Sequence, residues 1–81
     1  MNAYLLECVA FFDEVRGKVP AMDLADARSL LDHGEPAEGI SILAWVLVQE
    51  GVAVTDEMAA KVRRLTSELI DPQDLPAAFR H

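Results

Sequence analysis

Pro36-Ala37-Glu38-Gly39-Ile40-Ser41-Ile42-Leu43-Ala44-Trp45-Val46-Leu47-Val48-Gln49-Glu50-Gly51 is the stretch on which the fold turns. From Ile40 to Val48 it is apolar almost all round, as in a helix enclosed by its neighbours. The β-branched content also allows a buried strand over residues 40–48. Length favours the helix, because the span from proline to glycine is helix-sized. Proline costs nothing at a first helical position, where its missing N–H would be unpaired anyway. Glu35 and Glu38 suit the positive start of such a helix. Gly39, inside the first turns, costs about 1 kcal/mol relative to alanine. Its expected use is close packing against another helix; close approach of a partner is the alternative.

Outward from this segment, three further amphipathic stretches lie between Gly and Pro breaks. Residues 22–33 present Leu24, Ala27, Leu30 and Leu31, with Pro20 just before, Gly34 just after and His33 in the last turn. Residues 2–16 carry a stripe of Leu5, Cys8, Val9, Phe12 and Val15, flanked by Tyr4 and Phe11. Asn2 can cap that stretch, and Gly17 is expected to end it in a left-handed turn. Residues 56–70 carry Met58, Val62, Leu65 and Leu69, with Thr55 or Asp56 as cap and Asp71-Pro72 as stop. The tail, residues 73–81, is expected to form a short turn that docks Leu75 and Phe79. The fold class that follows is all-α: one domain over residues 1–81, a small four-helix bundle with antiparallel neighbours and a short C-terminal turn.

The chain has 81 residues, 52% of them hydrophobic, with 14 acidic and 7 basic side chains and a formal net charge of -7. A domain of this size buries roughly 60–65% of its unfolded surface, leaving little room for a deep cleft beside a core. The acids concentrate between Asp23 and Glu57, where Asp23, Asp26, Asp32, Glu35, Glu38, Glu50, Asp56 and Glu57 face a single base, Arg28. That imbalance argues against nucleic acid and anionic membrane as direct partners and favours a basic protein. An ordinary solvated surface is the plainer reading of the same residues. The partner-binding candidates are Asp32, Glu35 and Glu38 around one inter-helix turn and Glu50, Asp56 and Glu57 around the next. Lys61, Arg63 and Arg64 form the one basic cluster and read as a solvated helix face. No apolar run approaches the roughly 20 residues of a membrane span, and no secretory leader pattern is present. With Cys8 as the single cysteine, a cytoplasmic location is expected.

Catalytic chemistry finds little support. A nucleophilic pair would need Cys8 beside His33, yet Cys8 falls on the apolar stripe, where cysteine acts as a small hydrophobe. His81 is the last residue of the chain. Asp32, His33, Glu35 and Glu38 could be imagined as metal ligands, but capping and helix-dipole roles explain each of them, and no metal-site spacing occurs. No glycine-rich phosphate loop exists. The expectation is therefore no catalytic residue, no metal and no cofactor. Trp45 is expected in the core, with an acceptor for its indole N–H.

The stretch Leu30-Leu31-Asp32-His33-Gly34-Glu35-Pro36-Ala37-Glu38-Gly39-Ile40-Ser41-Ile42-Leu43 resembles a pattern in MafI-type small immunity proteins of bacterial polymorphic toxin systems. There, a helix ends in apolar residues, a Gly-Glu step follows, and a second helix opens with a small and an aliphatic residue. Thr55-Asp56-Glu57 ahead of Met58 to Leu69 is similar to a later helix start of that family. The resemblance covers residues 24–69. Gly39 departs from it where alanine is expected, and Ala44 to Val48 is more apolar than the pattern. Such proteins neutralise toxins, often nuclease domains, by tight binding, so the resemblance implies a cognate basic toxin domain as partner. The alternative is a helical protein–protein interaction or dimerisation module without a toxin, for which the apolar departure would supply a self-association surface.

Overall fold

The computed structural model describes residues 2–80. Four α-helices carry the fold: α1 (Ala3–Arg16), α2 (Ala25–Asp32), α3 (Pro36–Gln49) and α4 (Asp56–Thr66). Short 3-10 turns at Ala21–Leu24, Pro72–Asp74 and Ala77–Phe79 complete it. No strand occurs among the described residues, so 40–48 is helix. The radius of gyration is 11.3 Å, against about 12 Å for a compact chain of this length.

The apolar circumference of α3 determines the arrangement. It packs against α1, α2 and α4, and Ile40, Leu43, Ala44 and Leu47 are fully buried. Its tightest contact is with α2, and Gly39 makes it so. A Cβ at Gly39 would stand 3.2 Å from the Ala27 carbonyl oxygen and 3.4 Å from Leu31 Cγ. Close packing against a helix is thus what this glycine provides.

The caps follow local chemistry. Asn2 Oδ1 accepts from the Leu5 N–H at 2.7 Å, and Thr55 Oγ1 accepts from the Met58 N–H at 3.1 Å. Gly34 and Gly51 take left-handed angles, φ +82° and +72°. Beyond them Glu35 N–H donates to Leu30 O at 2.8 Å and Val52 N–H to Leu47 O at 3.0 Å. Each bond satisfies a carbonyl left open by the end of a helix. Gly17 behaves differently: its φ is -78°, and Lys18 N–H closes a right-handed turn on Val15 O at 2.8 Å. The expected left-handed end of α1 is therefore corrected.

Other expectations also change. Phe11, placed beside the α1 stripe, is fully buried with Cys8, Phe12 and Val15, while Leu5 and Val9 are only partly covered. The stripe is rotated because α1 packs mainly on α3 and also meets α2 and α4. The second segment is split, residues 21–24 forming a 3-10 turn ahead of α2. Helix α4 stops at Thr66 rather than Ile70. Ser67 takes ψ 129°, Glu68 takes φ 67°, and the Thr66 carbonyl accepts from both Leu69 and Ile70 N–H. Leu69, expected on the buried stripe, is consequently 63% exposed. The tail docks as its pattern implied, with Leu75 and Phe79 buried in the core.

Candidate functional site

The six candidate carboxylates are all exposed and form two groups. Asp32 ends α2, Glu35 precedes α3 and Glu38 lies in its first turn. Glu50 caps the far end of α3, while Asp56 and Glu57 open α4. Glu38 and Glu50 are separated by roughly 18 Å along the axis of α3, at 1.5 Å per residue. The fold therefore keeps the groups at opposite ends of one helix. Asp32 pairs with Arg28 at 3.5 Å. No salt bridge among the described residues engages Glu35, Glu38, Glu50, Asp56 or Glu57.

The basic residues are occupied elsewhere. Arg64 pairs with Glu7, and Lys61 with Glu14 at 3.6 Å, tying α4 to α1. The cluster read as a solvated face thus spends two cations on α1 and leaves the acidic middle of the chain uncompensated. Arg28 also lies over the Phe12 ring, 5.7 Å from its centroid, which adds a cation–π contact to its ion pair.

A shallow hollow of about 200 Å³ lies at the first acidic group, lined by Gly34 to Glu38 together with Leu69 and Ile70. It sets the exposed Leu69 beside two unpaired carboxylates. A second hollow, about 330 Å³, holds Met22, Trp45 and Ile42 beside Asp23 and Asp26. Trp45 is not a core residue: it is 41% exposed, and its indole N–H donates to the Asp74 carbonyl at 2.8 Å. The need for an acceptor was readable from the sequence. That the acceptor lies on the tail, which holds the ring at the surface, was not. Met22, 83% exposed, was hidden from pattern reading inside the 3-10 turn.

Cys8 and His33, weighed as a nucleophilic pair, and the nearby phenol of Tyr4 have different surroundings. Cys8 is fully buried, and burial pushes its thiol up from its ordinary value. Tyr4 donates to the Leu65 carbonyl, and burial raises its phenol to about 12. His33 is exposed, and its Nδ1 lies 2.7 Å from the Ser29 carbonyl. Since a carbonyl only accepts, Nδ1 carries the proton and turns back on its own helix. Among the described residues no three His, Cys, Asp or Glu side chains are placed to hold a metal ion. His81 lies outside the described residues.

Fold and surface together define a small all-helical bundle with an uncompensated acidic flank and no helix long and apolar enough to cross a membrane. The chain matches no protein-family model, no curated protein and no solved structure.

Proposed function

We propose that this protein is an immunity-like inhibitor that binds and neutralises a cognate basic toxin domain, in keeping with the resemblance to MafI-type immunity proteins. The observation that carries the reading is the hollow at the α2–α3 turn, where unpaired Glu35 and Glu38 flank exposed Leu69. Such a surface suits a partner that brings an apolar tip ringed by Lys or Arg. Its carboxylates speed encounter, while the apolar contact holds the complex. Inhibition requires only that the bundle cover the toxin's working surface, so the proposal assigns it no chemistry of its own. A cytoplasmic site of action belongs to the same proposal.

The test is co-expression with the protein encoded directly upstream. That protein is expected to arrest growth alone, to be tolerated with this chain, and to co-purify with it. In rate measurements across salt, Glu35→Lys/Glu38→Lys should slow association and flatten the salt dependence more than Asp56→Lys/Glu57→Lys does. A larger effect of the second pair would move the contact to the other end of α3. A harmless upstream protein that does not bind refutes the proposal.

One observation favours a second reading, an interaction or dimerisation module without a toxin. Met22, Trp45 and Val48 are large apolar side chains left exposed, two of them on α3. Self-association through that face would weaken on Trp45→Glu and strengthen as salt screens the charge of this acidic chain.

A further inference from the structure

A cavity of about 530 Å³ opens between the end of α4 and the tail. Its size falls in the range of small-molecule sites. It adjoins the hollow of the proposed toxin contact, sharing Leu69 and Ile70 with it, and differs in its charge: here this acidic chain places two guanidinium groups, Arg63 and Arg80.

Three features converge there. Arg63 is half-buried, has no ion pair among the described residues, and keeps its Nη1 buried without a hydrogen-bond partner. A guanidinium stays charged at any relevant pH, so it cannot relieve this by losing a proton. Arg80 is pinned by donation from Nε to Leu75 O at 3.0 Å and from Nη2 to Gln73 O at 3.2 Å. Finally, Glu68 at the rim is held at φ 67°, a conformation costly for a side chain of its kind and often maintained where a site needs it. That kink ends α4 early and keeps the cavity open by turning Leu69 and Ile70 into its wall.

We propose that this cavity binds a small monocarboxylate with an apolar body. The carboxylate meets the face of Arg63 that the cavity reaches, a geometry suited to paired hydrogen bonds, with Arg80 supporting the field. The apolar body lies on Leu69, Ile70 and Phe79. The rim carboxylates Glu68 and Asp71 disfavour a second negative charge, which selects against phosphate and other dianions.

Amide and arginine side-chain NMR spectra during titration test this. Octanoate should shift Arg63, residues 66–71 and Arg80 saturably. 1-Octanol, which keeps the chain without the charge, and inorganic phosphate, which keeps charge without the chain, should each bind at least about tenfold more weakly, as expected on losing a charge-assisted bond or the apolar contact. N-acetyl-alanyl-leucine, tested beside octanoate, tells a peptide terminus from a free acid as the source of the carboxylate by which of the two saturates first. Arg63→Gln should weaken octanoate about tenfold, and Arg63→Lys should recover part of the loss. Glu68→Gln, which removes a rim charge and leaves Arg63 in place, should tighten binding about twofold, so the proposal stays testable if Arg63→Gln misfolds. Saturation by neither carboxylate, equal binding of octanol or phosphate, or wild-type affinity in folded Arg63→Gln overturns the proposal.

Discussion

Two residues carry the sharpest local conflicts, and they resolve in opposite directions. Gly39 gives up helix propensity worth about 1 kcal/mol so that α3 can touch the α2 backbone. Adding a methyl would press on the Ala27 carbonyl at 3.2 Å, and a helix backbone packed this closely gives way poorly. Overpacking costs typically 1–3 kcal/mol, so Gly39→Ala should lower stability by about 1 kcal/mol despite the better propensity, as measured by urea unfolding. Glu68 is the reverse case. It holds φ 67° with a full side chain, where glycine pays no steric penalty. Relieving the left-handed angle is worth about 1–2 kcal/mol, partly offset by the greater unfolded-state freedom of glycine. Glu68→Gly should therefore raise stability by about 0.5–1 kcal/mol, and a lower unfolding midpoint would mean that its side chain contributes more than the angle costs. Tyr4 adds a pH dependence. Its phenol rises from 10.0 to about 12 in the folded protein, so the folded state holds the proton more tightly than the unfolded one. The stability this contributes is complete below pH 10 and is lost as the pH climbs toward 12. The shift of Cys8 has the same direction, so it adds to the loss above its own ordinary value of 9.0. Unfolding midpoints between pH 8 and 11.5 should fall, and Tyr4→Phe should flatten the part of the fall above pH 10.

At the scale of the elements, side-chain caps hold the starts of α1 and α4, while the ends decide the architecture. Thr55 satisfies a backbone N–H at the start of α4, and Thr55→Ala should cost about 1 kcal/mol in unfolding free energy. The left-handed ends of α2 and α3 are set by glycine, which alone adopts those angles freely. The end of α4 is set without glycine or an adjacent proline. It is made by Ser67 and Glu68, whose backbone angles leave the helix, and beyond the kink Leu75 and Phe79 of the tail pack into the core. The same tail draws the Trp45 indole to the Asp74 carbonyl. Trp45→Phe should leave the helices intact, because the ring lies at the surface, while loosening the tail, seen as faster amide exchange over residues 72–80.

Over the whole molecule, stability centres on α3, and the proposed recognition rests on charge. Leu43 is fully buried at the meeting of the helices, and truncating such a leucine costs about 2–5 kcal/mol, a large share of what a domain this small can hold. Leu43→Ala should therefore show a greatly lowered melting temperature by circular dichroism. The ion pairs Arg64–Glu7 and Lys61–Glu14 lie at the surface, where such pairs are worth under about 1 kcal/mol. Their consequence is one of placement. They neutralise α1 and leave the flank from Asp23 to Glu57 carrying charge that a basic partner would feel across the encounter distance.

The sequence by itself determined the helices, their order and the centrality of α3, because periodicity, capping residues and a segment apolar all round are properties of neighbours along the chain. It also contained the six candidate carboxylates, Glu35 and Glu38 of the proposed contact among them, since their exposure follows from charge. Only the tertiary structure decided that Phe11 rather than Leu5 or Val9 faces the core, that Trp45 and Leu69 remain at the surface, and that Arg63 lies unpaired in a cavity. Each of those outcomes depends on a segment distant in sequence: α3 and α4 around α1, the 72–80 tail against α3 and α4. Local periodicity assigns a residue to a face of its own helix, but which face is covered is fixed by whatever packs against it.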